Sequence, residues 1–154
     1  MRDFSIKEIE DLSGKMARIY SVVMDGEESS LLEQFFEENA KYRKDIQKIF
    51  ERLYVMANDT GCVRSLFKEG EGDWADGMVA IDRTGTLRLY GIYFNDMLIL
   101  LGSGGYKPPQ VRAYQDYPPL NEKAQLMKEI AKEINRRISN GELKVGQDGT
   151  LREL

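Results

Sequence analysis

The sequence predicts an α+β domain in which a small antiparallel sheet is packed by helices. Three observations carry this. Apolar residues recur at spacings of three and four over 42–57 and again over 120–138, the period of an amphipathic helix. Between these segments the pattern changes to short β-branched or continuously apolar runs at 78–81, 87–94 and 97–101. The links between those runs are too short for crossovers, so they must be antiparallel neighbours. A chain of 154 residues with 42% apolar and 31% charged side chains is one domain's worth of ordinary globular composition, 1–154 throughout.

Taken in order, Ser5 with Glu8 reads as a capping box that opens an N-terminal helix over about 5–13, ended by Gly14. Ala17–Met24 is β-branched and bounded by Asp25-Gly26, which predicts a strand leaving into a turn. Ser29 or Ser30 is placed to N-cap the next helix, with Glu33 completing a box. In the longer helix that follows, Tyr42, Ile46, Ile49, Phe50, Leu53 and Ala57 form the apolar stripe, and Gly61 is its left-handed stop. Arg83-Thr-Gly85 and Asn95-Asp96 are the turns of a three-strand meander, whose last strand, Met97–Leu101, is apolar on both faces and therefore central. A helix from about Leu120 to Ile138 ends at Asn140-Gly141, and the tail, 141–154, has the makings of a hairpin around Asp148-Gly149.

Composition excludes several chemistries. The chain has no histidine, which removes the Ser-His-Asp and Cys-His nucleophile systems and the histidine zinc sites. One cysteine, Cys62, excludes a disulfide framework and fits a reducing compartment. The opening residues alternate charge with apolar side chains and offer no signal-peptide core, and no apolar run approaches a membrane span. The expectation is a cytoplasmic protein with no membrane contact. Net charge is −4, with 9 basic and 13 acidic side chains within residues 1–60, so bulk charge does not attract nucleic acid and no DNA partner is indicated.

Any nucleic-acid contact must come from a local patch, and one candidate stands out. A two-residue turn at Asn95-Asp96 would pair Phe94 with Met97, Ile92 with Ile99, Tyr90 with Leu101 and Arg88 with Ser103. Arg88 then projects beside Gly102-Ser-Gly-Gly105, within reach of Lys107, with Arg112, Tyr106 and Tyr114 following. Cations interleaved with tyrosines at the end of a sheet hold phosphates and stack bases, which makes Tyr90, Tyr106 and Arg112 candidate RNA contacts. Arg88, Lys107 and Tyr114 are the candidate catalytic groups, since lysine and tyrosine can move protons and cations stabilise developing phosphorane charge. The alternative is that Arg88 pairs with an acidic neighbour and Tyr114 covers the core. Gly102–Lys107 lacks Walker spacing and is followed by Pro108-Pro109, so it is not a phosphate loop. Glu69, Glu71 and Asp73 lack the closing glutamate of a calcium loop and read as a solvated acidic loop, with Trp74 folded back on the core. No metal and no cofactor is implied.

With these elements in place the chain resembles the RelE/HigB/ParE toxin superfamily over about Ala17 to Ile138. Leu87-Arg-Leu-Tyr-Gly-Ile-Tyr-Phe94 is similar to that family's arginine-bearing aromatic strand, and Met97–Lys107 to its apolar strand ending in glycine, an aromatic and lysine. Arg112 and Tyr114 stand where the family often has a late basic or tyrosine residue. The resemblance implies a RelE-like sheet of an N-terminal strand plus the meander, with the N-terminal helix and the 141–154 tail as additions. It implies a ribosome-associated mRNA endoribonuclease partnered by a cognate antitoxin. Arg88 would stabilise the scissile phosphate, Lys107 would be a second cation or proton donor, and Tyr114 would stack on a base or orient the 2′-hydroxyl. The chain departs from the pattern in its acidity, its lack of histidine and the absence of lysine from Met78–Ile81. Those departures suit the other reading, a non-catalytic toxin-fold module, ParE-like or inactive, that acts by protein contact.

Overall fold

The computed structural model describes residues 2–68, 77–81 and 85–154. Its first element corrects the sequence reading. Residues Phe4–Glu8 form a strand, β1, antiparallel to β2 (Arg18–Met24) with Phe4 opposite Met24 and Glu8 opposite Tyr20. The predicted helix over 5–13 is absent because Phe4 and Ile6 fall on one face at period two and pack on the core there. The chain then turns over Ile9–Ser13, where the Ser13 hydroxyl donates to the Ile9 carbonyl and accepts from the Ile19 N–H. Gly14 lies against the Ala57 carbonyl, where a Cβ would collide.

The Ser30 box forms as expected. Helix α1 (Leu31–Glu38) opens with the Ser30 hydroxyl accepting from the Glu33 N–H at 3.1 Å, and the Glu33 carboxylate accepting from the Ser30 N–H. The Ser21 hydroxyl on β2 accepts from the Leu32 N–H, so a second orphan donor of the helix end is satisfied by the sheet beneath it. Helix α2 (Arg43–Val55) runs into a wider turn over Met56–Thr60 and stops at Gly61 as foreseen, in a positive-φ extended conformation (φ 75°, ψ −172°) rather than the left-handed helical one.

Strands β3 (Phe67–Lys68), β4 (Met78–Ile81), β5 (Leu87–Asn95) and β6 (Leu98–Tyr106) complete a six-stranded sheet in the order β1-β2-β6-β5-β4-β3. The meander β4-β5-β6 is antiparallel, as its short links require. The sheet as a whole is mixed rather than antiparallel, because β2 pairs with β6 in parallel, Ile19 beside Ile99. The two helices and three strands between β2 and β6 form a connection long enough to permit that direction.

Both faces are covered. Leu32, Phe35, Ile49 and Leu53 of α1 and α2 pack on Ile19, Val79, Leu87, Leu89, Ile99 and Leu101. On the other face α3 (Pro118–Ser139) sets Leu120, Ala124, Met127 and Ile134 against Tyr20, Tyr90, Ile92, Leu98 and Leu100. The run Leu98–Leu101 therefore feeds both cores, which is why it is apolar without alternation. The tail is a hairpin, β7 (Leu143–Val145) with β8 (Leu151–Glu153), and Leu143 and Leu151 join the α3-side core. Among the described residues no helix is long and apolar enough to cross a membrane.

Charge ties β1 to α3. Arg137 donates to Asp3 at 2.8 Å and to Glu133 at 3.1 Å, and its guanidinium lies 4.4 Å from the centre of the Phe4 ring. Hydrogen bonds from Arg136 and then Arg137 hold the Glu133 carboxyl at about 2, below its ordinary 4.5. A carboxylate held low in the folded protein stabilises it above the ordinary value, and that contribution is lost as pH falls through the folded one. Glu133→Gln should therefore flatten the fall in melting temperature between about pH 4.5 and 2, the interval those two values bound. An unchanged pH profile in thermal melts would mean that this cluster is not held together in solution.

Candidate functional site

The site predicted from sequence lies on the β5–β6 hairpin, and its register decides what meets what. The turn is Asp96-Met97, one residue later than predicted, with Asn95 opposite Leu98, Tyr93 opposite Ile99 and Gly91 opposite Leu101. Further along, Leu89 faces Gly104, Arg88 faces Gly105 and Leu87 faces Tyr106. Tyr90 thus stands against two residues, Gly102 and Ser103, which is a β-bulge in β6. The expected partner of Arg88, Ser103, is replaced by Gly105: the later turn, together with the irregularity at Phe94, moves the register by one residue, and this bulge moves it by one more.

The bulge sets which side each residue takes. Gly102 lies under Met127 of α3, where a Cβ would meet the thioether. Gly105 is on the same face, its Cβ position 3.8 Å from Leu120. Tyr106 turns to the opposite face and packs on Tyr42, ring centres 5.0 Å apart. Lys107 continues the pairing, its N–H donating to the Thr86 carbonyl at 2.7 Å, and strand alternation returns it to the face of Arg88. Arg88 and Lys107 are therefore brought to one side of one strand end. Asp96 sits at the other end of the hairpin and accepts from the Tyr93 hydroxyl at 2.7 Å. Desolvation first, and that bond second, push the Tyr93 phenol up to about 12.

Arg88 is half-buried and donates from Nη1 to the Gly85 carbonyl at 2.8 Å and the Leu87 carbonyl at 3.1 Å. Asp45 of α2 braces the same strand end, accepting from the Thr86 N–H at 3.1 Å and the Thr86 hydroxyl at 2.8 Å. Arg112 is exposed on the segment between Lys107 and Tyr114.

Two tyrosines are placed differently from the sequence reading. Tyr90 is 0% exposed, and Tyr114, in a 3₁₀ turn over Tyr114–Asp116, is 4% exposed. Their rings meet edge to face at 5.9 Å within the α3-side core. A ring enclosed on both sides has no face for a base, so the stacking assigned to Tyr90 and Tyr114 does not fit their burial. For Tyr114 the alternative, that it covers the core, describes what it does.

Sequence reasoning missed Lys128, whose ammonium lies 5.5 Å from the centre of the Tyr114 ring. It borders the apolar stripe of α3, and only the docking of α3 onto Tyr114 reveals it. Cys62 is fully buried, and desolvation pushes its thiol up to about 12, so it is no nucleophile near neutral pH. Glu69, Glu71, Asp73, Trp74 and Arg83 lie outside the described residues. Comparison with protein-family models, with curated proteins and with solved structures finds no match in any of the three.

Proposed function

We propose that this chain is a RelE-like toxin that cuts mRNA on the ribosome, using Arg88 and Lys107 as phosphate cations. The observation that supports it best is that Arg88 on β5 and Lys107, one residue past β6 with its N–H on the Thr86 carbonyl, share the hairpin end away from Asp96. Arginine's planar fork suits two phosphate oxygens, and a lysine alongside adds a compact charge or a proton. In the step proposed, the RNA 2′-hydroxyl gives up its proton to a solvent water acting as base, and its oxygen attacks the adjacent phosphorus. The bond from phosphorus to the 5′-oxygen breaks, leaving a 2′,3′-cyclic phosphate and a 5′-oxygen that takes up a proton, for which Lys107 is the donor. Arg88 carries the charge that builds on the non-bridging oxygens. Arg112 extends the positive surface, and Tyr106 keeps a partly exposed ring for an RNA contact. Tyr114 positions β5 and Lys128 from beneath. The setting is the cytoplasm, with a cognate antitoxin as partner.

A second reading is favoured by the burial of Tyr90 and Tyr114 and by the net charge of −4. It is a toxin-fold module that binds a protein and cuts nothing. One experiment separates the two: mapping new mRNA 5′ ends after induction in cells, beside the Arg88→Ala/Lys107→Ala variant. The enzyme reading expects fresh ends inside reading frames and a drop of about 100-fold or more in the variant, the scale of losing transition-state donors. Growth arrest without new ends would overturn it in favour of a protein target, and ends that persist in the variant would overturn the assignment of Arg88 and Lys107.

A further inference from the structure

The largest exposed aromatic surface among the described residues lies on the other helical layer, away from Arg88 and Lys107. Phe50 and Tyr54 are one turn apart on α2, 42% and 64% exposed. Phe50 stacks on Phe36 of α1 at 4.5 Å with the rings nearly parallel, so its open face is held rather than swinging in solvent. Across from them the Ile9–Ser13 turn supplies Leu12. Together they floor an open trough of about 510 Å³, with Gln47, Phe50, Glu51 and Tyr54 along one wall and Asp11 and Leu12 along the other. Gln47, Glu51, Tyr54 and Asn58 follow one another at helical spacing, so this wall is a ridge with grooves of the kind a second helix fits.

The rim of the trough is acidic. Asp11 and Glu51 border the aromatic floor, and Asp11 leads on to a second hollow that holds Glu8, Glu10 and Glu33. The cation there, Lys7, is bound to Glu33 at 3.4 Å. Lys48 and Arg52 of α2 line a separate hollow with Glu51. Such a surface repels a phosphate backbone and attracts lysine and arginine. A held aromatic such as Phe50, with a second exposed ring one turn away, is what an interface anchor looks like before its partner arrives.

We infer that the trough between the Ile9–Ser13 turn and the outer side of α2 docks a basic amphipathic helix of a partner protein. Apolar side chains at i, i+3, i+4 and i+7 would lie on Phe50, Tyr54 and Leu12, with lysines or arginines on the flanks meeting Asp11 and Glu51. This surface is independent of the phosphate cations, so a partner seated here leaves the Arg88–Lys107 face open.

The test uses the full chain and a fluorescein-labelled helical peptide with leucines at those spacings and lysines on both flanks, read by anisotropy. A second peptide carries glutamate in place of every lysine. The lysine peptide should bind saturably, more weakly as sodium chloride is raised, and the glutamate peptide should not bind. Tyr54→Ala and Glu51→Lys, both at exposed positions, should each weaken binding by about tenfold or more with unchanged thermal midpoints. Failure of the lysine peptide to bind, or binding by both variants as tight as by the parent chain, would overturn the proposal. So would sedimentation showing that the chain is a dimer that Tyr54→Ala makes monomeric, since a second copy would then be the occupant. None of these outcomes depends on whether RNA is cut.

Discussion

Replacing Gly104 with alanine should destabilise the fold by about 3 kcal/mol, the upper end of what overpacking costs, while Gly102→Ala should cost less than about 1.5 kcal/mol. Both glycines lie in β6, and both lack room for a methyl group, but what blocks the methyl differs. At Gly104 it would strike the Arg88 carbonyl oxygen, with the carbonyl carbon at 2.9 Å and the Leu89 Cα at 3.0 Å. Those atoms are backbone of the paired strand and move only if β5 and β6 part. At Gly102 it would meet the sulfur and terminal methyl of Met127, an unbranched tip that can swing aside. In a chain of this size the difference should appear as a fall in melting temperature of roughly 6–12 °C for Gly104→Ala and a much smaller one for Gly102→Ala. Equal shifts in thermal and urea melts would mean that β6 does not bulge opposite Tyr90. Because Gly104 sits against Arg88, the same variant should also displace the strand end that carries Arg88 and Lys107.

That bulge marks where sequence reading ran out. The three glycines in 102–105 permit a bulge, but nothing local says whether they make a loop or carry the strand on. The decision comes from α3 pressing Met127 into the space that Gly102 leaves. Features set by neighbours in the chain were legible: the Ser30–Glu33 box, the Gly61 stop, the antiparallel meander and the doubly buried run read as Met97–Leu101, of which Met97 alone falls in the turn and is exposed. Features set across the fold were not. Ser5 and Glu8 make a convincing helix start, yet two apolar residues at period two, offered the open edge of β2, take the strand instead. The parallel pairing of β2 with β6 has no local signal at all. At the site, Arg88 and Lys107 were found together because both flank one hairpin, even with the wrong register. Tyr90 and Tyr114 were misjudged because a tyrosine's burial depends on the helix that covers it, and that helix lies elsewhere in the chain.

The resemblance treats residues 141–154 as an addition to a smaller fold, and the structure predicts that removing them is severe. Leu143 and Leu151 are 2% and 8% exposed within the α3-side core. The Leu151 N–H donates to the Tyr20 hydroxyl at 3.2 Å, and Asn95 reaches from the end of β5 to the Gly146 carbonyl at 3.2 Å. Gly149, at a φ of 88°, turns against the Met97 carbonyl so closely that a Cβ would collide. The hairpin therefore closes the sheet end opposite Arg88 and Lys107, where Asp96-Met97 turns. Ending the chain at Asn140 removes two buried leucines worth about 1.5–3 kcal/mol each and wets the apolar surface beneath them. A loss of about 4 kcal/mol or more is expected, a large part of the 5–15 kcal/mol that holds a typical domain together. The truncated protein should melt at least about 10 °C lower or lose its sharp transition. Leu151→Ala should reproduce part of the effect, about 2 kcal/mol at its slightly exposed position, and the exposed Lys144→Ala should stay within about 0.5 kcal/mol of the parent. A truncated chain as stable as the full one would make the hairpin an appendage after all. If instead it unfolds, the tail is core, and the resemblance describes a smaller unit than the one this sequence folds into.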